Sequence, residues 1–164
     1  MIFDELIKEN KEAFIAKVTE ISAYLGVKPE WLMFVMWFET AHTLNSHIQN
    51  SIKATGLIQF MPDTAKGLGT TVEALKIMSN VDQLDYVKKH LSRFKGQYKS
   101  ITDLYCAIFW PAAVGKSNTY KVGNSTVAKQ NPIFDLDKNG QILKSEIESA
   151  LKNQMNTKIR GYFA

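Results

Sequence analysis

The sequence predicts a mainly α fold, one helical domain followed by a short C-terminal segment built around a metal-binding loop. Three observations predict it. Apolar residues recur at three- and four-residue spacings with charges between them. Glycines, prolines and small polar residues stand where helices start and stop. Near the C-terminus, oxygen-bearing side chains alternate around a glycine. The chain has 164 residues, 45% of them apolar, enough for one domain with a real core and little room for a second.

From Phe3 to Leu25, the spacing of Phe3, Leu6, Ile7, Phe14, Val18, Ile21 and Leu25 predicts an amphipathic helix ended by Gly26. Pro29 suits the first turn of a second helix, where its missing N–H costs nothing, and that helix runs to about Thr40. It is apolar on every face and should be the central buried helix. Periodicity then fails from Thr43 to Ile58, a polar connection that suggests the wall of a cleft.

A short helix is expected from Pro62 to about Gly67. Thr70 with Glu73 has the spacing of a capping box for a helix around Val72–Met78. Asn80 caps a further helix to Phe94, with Gly96 beyond it, and Ser100 with Asp103 caps Leu104–Trp110, which Pro111 stops. Glycines, serines and turn residues make 114–130 a loop or linker. The expected organisation is a main domain at 1–115, a linker at 116–130 and a metal-loop segment at 131–164 packed on the main domain.

Formal net charge is +4 with pI near 9.1, favouring anionic partners such as nucleic acid, anionic lipid or the acidic polymers of a bacterial wall. Basic residues are spread along the chain without a cluster, so nucleic acid is not expected as a partner. No apolar run reaches the roughly eighteen residues of a membrane span, and membrane insertion is not expected. The start, Met1-Ile2-Phe3-Asp4-Glu5, carries acids where an export signal has basic residues, so cytoplasmic synthesis is expected. A single cysteine, Cys106, rules out an intramolecular disulfide and reads as a small buried hydrophobe.

Glu39 is the residue that points to chemistry. It follows eight apolar residues, Trp31 to Phe38, and a carboxylate in such company is solvated at the helix end, paired, or held protonated. Cleaving a glycosidic bond needs a carboxylic acid still protonated near neutral pH, to give the leaving oxygen its proton. Apolar surroundings raise a carboxyl pKa by penalising the charged form, and a helix C-terminus pushes the same way.

Glu39-Thr40, followed by Ala54-Thr55-Gly56-Leu57-Ile58-Gln59-Phe60-Met61-Pro62-Asp63-Thr64-Ala65, resembles the soluble lytic transglycosylase family and its goose-type lysozyme relatives. That family carries a catalytic Glu followed by Ser, then a Gly-Leu-Met-Gln-hydrophobic-Met-Pro element. Thr40 keeps the hydroxyl, and Ile58 replaces the Met. The resemblance spans about Trp31 to Trp110 and implies a lysozyme-like helical fold that cleaves the bond between N-acetylmuramic acid and N-acetylglucosamine in bacterial peptidoglycan. It implies Glu39 as general acid and then base, with no cofactor for the chemistry. Thr40 would hold the carboxylate's orientation, and Gly56, Gln59 and Phe60 would line the sugar subsites. The family's third motif, Ala-Tyr-Asn-Ala-Gly, is replaced by Ala107-Ile108-Phe109-Trp110-Pro111-Ala112-Ala113-Val114-Gly115, which leaves Tyr105 to take over the polar contact or to serve in the core. This variant resembles phage-encoded members, which implies action on the cell wall as an endolysin or a virion enzyme, and a monomer is expected.

A hydrolase of this fold would want a second carboxylate facing the first, about 5–9.5 Å away. Asp63 is the nearest in sequence, yet after Pro62 it is ordinarily a first-turn residue. A lytic transglycosylase needs no second acid. A non-catalytic module that keeps the groove for wall or virion attachment is the alternative from another class. His42 and His47 lack a third ligand nearby and do not argue for zinc.

Asp135-Leu136-Asp137-Lys138-Asn139-Gly140-Gln141-Ile142-Leu143-Lys144-Ser145-Glu146 fits the twelve-residue EF-hand loop at its first, third, fifth, sixth and twelfth positions. Asp135, Asp137, Asn139 and Glu146 would bind Ca2+ through side chains and Gln141 through its backbone carbonyl. With one hand and no partner hand, the ion is expected to staple the C-terminal segment, with a short exiting helix at Glu148–Gln154.

Overall fold

Helices dominate the structure, a computed structural model describing residues 1–163, as the periodicity predicts. Its packing falls into two units, Met1–Gly96 and the chain from Gln97 onward.

The first unit contains α1 (Lys11–Leu25), α2 (Pro29–Glu39), α3 (Pro62–Gly67), α4 (Val72–Ile77) and α5 (Asn80–Leu91). Pro29 opens α2 at its first turn, and Leu32, Met33, Phe34, Val35 and Met36 are five consecutive fully buried residues, so the helix is apolar all round because it is covered all round. α1 lays Phe14, Val18, Ile21 and Leu25 against α2 and α5, while α5 contributes Leu84, Val87 and Leu91. Each such side chain stabilises the fold by about 1.5–3 kcal/mol. Between α2 and α3, the polar connection is held by two isolated bridges, Gln49 to Thr55 and Thr55 to Phe60.

The second unit contains α6 (Ile101–Phe109), β1 (Lys121–Val122), α7 (Ser125–Gln130), β2 (Ile142–Leu143), α8 (Lys144–Asn153) and α9 (Thr157–Arg160). β1 and β2 pair antiparallel, Lys121 opposite Leu143 and Val122 opposite Ile142. α6 packs on α8, and Phe134 packs on Tyr105 and Phe109. Among the described residues, no helix is long and apolar enough to cross a membrane.

Several boundaries differ from expectation. The first helix is interrupted: Asp4–Leu6 form a 3-10 turn and α1 starts at Lys11, because Asn10 adopts φ +49° and donates its amide to Asn80. Thr71, not Thr70, caps α4 by accepting from Ala74 N–H, so the expected capping box with Glu73 does not form. Ser79, not Asn80, caps α5, and the Asn80 amide instead donates to the Glu9 carbonyl. α6 begins at Ile101, with Ser100 as its cap. The stretch expected as a loop or linker carries β1 and α7, the latter capped by the Asn124 side chain, which accepts from Thr126 and Val127 N–H. Short polar elements of this kind have too few apolar repeats to show a period.

Candidate active site

Glu39 is the last residue of α2 and is half-buried. The chain after it turns sharply through three non-glycine residues in the left-handed region, Ala41 (φ +51°), His42 (φ +68°) and Leu44 (φ +55°). The N–H of His42 reaches back to the Trp37 carbonyl at 2.8 Å, the Schellman way of ending a helix, here without the usual glycine. Left-handed non-glycine residues cost about 1–3 kcal/mol each and persist only where the surroundings over-determine them.

Thr40 is part of what holds the turn. It is fully buried, its hydroxyl donating to the Met36 carbonyl at 2.7 Å and accepting from Leu44 N–H at 2.8 Å. Thr43 donates to the Thr40 carbonyl at 2.7 Å. Expected among the substrate-binding residues, Thr40 has its hydroxyl committed to the backbone and shapes the turn behind Glu39. A ring stack also meets here: Trp37 lies between Phe3, at 4.5 Å between centroids and 4° between planes, and His42, at 3.9 Å and 11°.

The second motif forms a tight turn on the same unit. Gly56 has φ +78°, and a Cβ there would lie 2.7 Å from the Gln83 Cδ, so both conformation and space require glycine. Gln59 has φ +53°, and its side-chain amide donates to the Gly56 carbonyl at 3.1 Å. Phe60 N–H donates to the Thr55 carbonyl at 2.8 Å, while the Phe60 ring is buried and set edge-on to His90. Gly56 and Phe60 are buried, with their backbone N–H and carbonyl groups paired inside the turn and with Ile48, and Gln59 is the half-buried side chain of the turn. Asp63 sits exposed in the first turn of α3, the dipole-favoured place.

Sequence reasoning missed Gln83. It is fully buried on α5, its Oε1 accepting from Leu57 N–H at 2.6 Å and its Nε2 donating to the Ser46 carbonyl at 2.8 Å and the Leu75 carbonyl at 2.9 Å. One amide thus ties the motif turn, the connection after α2 and the end of α4 to α5. The available signal was an amide on the apolar stripe of Leu84, Val87 and Leu91.

In the second unit, Tyr105 is 3% exposed and packs on Phe109 and Phe134, so its ring has no open face for a sugar. Asp103, read as a capping residue, does more. Its Oδ2 accepts from Lys99 N–H, and its Oδ1 accepts from Gly115 N–H and from the Lys144 ammonium at 2.6 Å, both side chains of the pair being about 5% exposed or less. Burial alone pushes the Asp103 carboxyl up, but the Lys144 hydrogen bond, the two N–H groups and the Lys144 charge together hold it below its ordinary value. Burial pushes the neighbouring Cys106 thiol up to about 12.

The loop at 135–146 gathers carboxylate oxygens of Asp135, Asp137 and Glu146 within 4.8 Å of one another. Gly140 has φ +82° and donates its N–H to Asp135 Oδ2 at 3.0 Å. Asn139 Oδ1 accepts from Gln141 N–H, and the Gln141 side-chain Nε2 donates to the Gly123 carbonyl at 3.2 Å. Asp135 Oδ1 is buried with no hydrogen-bond partner.

Residues 18–131 match the sequence model of the transglycosylase SLT domain, from within α1 to the end of α7. The chain belongs to the transglycosylase SLT family. Its activity is therefore of the lytic transglycosylase type, cleavage of glycosidic bonds in peptidoglycan, and needs no cofactor. The mainly helical architecture is that of an SLT domain. No curated protein matches the chain.

Proposed function

We propose that this SLT enzyme cuts the β-1,4 bond between N-acetylmuramic acid and N-acetylglucosamine, with Glu39 as general acid and then general base. The observation that carries this reading is Glu39 itself, half-buried at the end of α2, whose residues Leu32 to Met36 are fully buried, and followed by a strained, heavily held turn. Glu39 protonates the departing N-acetylglucosamine O4 as the bond to muramic C1 breaks, leaving an oxocarbenium-like sugar. Its carboxylate then takes the proton of the muramic C6 hydroxyl as that oxygen attacks C1, closing a 1,6-anhydro ring. No water is consumed and Glu39 ends protonated.

Gln59 presents its amide oxygen to hydroxyl or N-acetyl groups, and Gly56 and Phe60 line the same subsite as the residues that shape its turn. Tyr105 serves the core of its own unit. The exposed first-turn place of Asp63 favours the anhydro route over hydrolysis, which would ask for a second acid. Clearing of peptidoglycan suspensions by the parent and Glu39→Gln, with mass spectrometry of the fragments, tests both parts. Undiminished clearing by Glu39→Gln removes the proton donor, and products heavier by one water than the anhydro form remove the transglycosylase route.

We further read residues 135–146 as a structural Ca2+ site within a C-terminal segment at 131–164, distinct in role from the catalytic part at 1–115. Ca2+ binds oxygens at about 2.3–2.6 Å, so ligands on opposite sides lie roughly 5 Å apart. The carboxylate cluster has that size, and the partnerless Asp135 Oδ1 is the atom an ion would satisfy. Asp135, Asp137, Asn139 and Glu146 would hold it by side chains and Gln141 by its carbonyl. Bound Ca2+ supplies positive charge that offsets the repulsion of three carboxylates.

A further inference from the structure

We propose that Phe3, Trp37 and His42 act as a positioning device for Glu39, through which an N-terminal segment outside the SLT match sets the catalytic turn. The inference rests on the reading of Glu39 as proton donor.

Trp37 stands two residues before Glu39 on α2, and His42 three residues after it. The two rings lie 3.9 Å apart at 11°, while the His42 N–H is bonded to the Trp37 carbonyl. Glu39 is thus one of the four residues, Phe38 to Ala41, enclosed by a loop of chain closed twice, by a backbone hydrogen bond and by a ring contact. His42 is exposed at the surface and has φ +68°, so neither burial nor backbone preference keeps it there. The Trp37 carbonyl holds its backbone, and the Trp37 face holds its ring.

On the opposite face, Phe3 lies 4.5 Å away and 4° from parallel. Phe3 itself has φ +60° and opens the 3-10 turn Asp4–Leu6, a second non-glycine residue held in the left-handed region at the end of the same stack. The SLT match starts at residue 18, so Phe3 belongs to a segment this chain adds to the part that matches. Its addition fixes the plane of Trp37, and Trp37 fixes His42. A carboxylate that must meet a glycosidic oxygen is sensitive to such control, since displacements on the order of 1 Å can cost a hundredfold in rate.

The stack acts through Glu39 and not on the sugar, which separates kcat from KM. Kinetics on soluble glycan strands, far below the melting midpoint, should show His42→Ala and Phe3→Ala each lowering kcat about tenfold or more, with KM within about twofold. His42→Phe, which keeps a flat ring, should recover most of the loss, and so should Phe3→Tyr. Near-UV circular dichroism should lose intensity in both alanine variants and regain it in the two rescues. A raised KM with kcat intact would make His42 a sugar platform and overturn the proposal. Unchanged kcat in both alanine variants, with only a lowered melting point, would leave the stack structural and overturn it as well. Glu39→Gln run in parallel separates the two readings: full activity there removes the proton donor and the positioning role together. Inactive Glu39→Gln with fully active His42→Ala and Phe3→Ala removes the positioning role alone. Should His42→Ala fail to fold, Phe3→Ala carries the test.

Discussion

Replacing Gln83 with Met keeps the length and volume of the side chain and removes its three hydrogen bonds at once, leaving Leu57 N–H and the carbonyls of Ser46 and Leu75 inside the first unit. Each buried backbone group stranded in this way costs about 1–3 kcal/mol, so the raw sum is about 3–9 kcal/mol. Local relaxation and the more apolar end of Met bring the expected loss to about 3–5 kcal/mol. For a chain of this size each kcal/mol moves the midpoint by about 2–4 °C, which predicts a melting point lower by about 6–20 °C. Far-UV circular dichroism melts and urea titrations of parent and variant measure it. A midpoint within about 2 °C of the parent would refute the claim that this amide holds the motif turn. The same contact predicts coupling: Gly56→Ala drives a methyl into the Gln83 amide, so it should cost less in a Gln83→Ala background than in the parent.

Breaking the buried ion pair from one side, as in Lys144→Met, strands the Asp103 carboxylate and should cost about 3–5 kcal/mol by denaturant titration. Because the folded Asp103 carboxyl is held below its ordinary value, its contribution is full above that value and fades as pH falls through the lowered one. The gap in melting point between parent and Asp103→Asn should therefore be widest near neutral pH and close in strong acid. Adding Ca2+ to chelator-treated protein at about a hundred times its dissociation constant should stabilise by about 2.7 kcal/mol, and Glu146→Gln should abolish most of the gain in differential scanning calorimetry. Cys106, fully buried with its thiol pushed up to about 12, should resist iodoacetamide in the native protein at mildly alkaline pH and react only after denaturation, as read by intact mass.

The core helices were legible because burial imposes a period that composition records. Trp31 to Glu39 reads as a buried helix with an acid at its end, and α2 is that helix. The turn of the second motif was legible only in part. The need for glycine at Gly56 can be suspected from the motif, but its cause is the Gln83 amide on another helix, 27 residues on, and no local pattern encodes that. Asp103 misled for the same reason: Ser100 at the cap gives it an ordinary first-turn role, while its partner Lys144 lies 41 residues away. The gathering of the Asp135, Asp137 and Glu146 carboxylates was legible because these residues lie close together in sequence. β1 was not, since two residues paired to Ile142 and Leu143 have no period to show.

Three buried polar side chains of the first unit, Thr40, Thr55 and Gln83, share one task, and it follows from where the backbone lacks regular structure. Helices satisfy their own N–H and carbonyl groups, whereas the connection from Ala41 to Phe60 cannot and must borrow partners from side chains. Thr40 supplies one to Leu44, Thr55 to the Lys53 carbonyl, and Gln83 to Ser46 and Leu57. This connection joins Glu39, at the end of α2, to the turn of Gln59, so the groups that keep it folded are also those that keep Glu39 and Gln59 in register. A substitution at Gln83 or Thr40 should then lower activity at temperatures where the apolar interface of α1, α2 and α5 is still intact, because that interface is stabilised by burial and the connection is stabilised by a few hydrogen bonds.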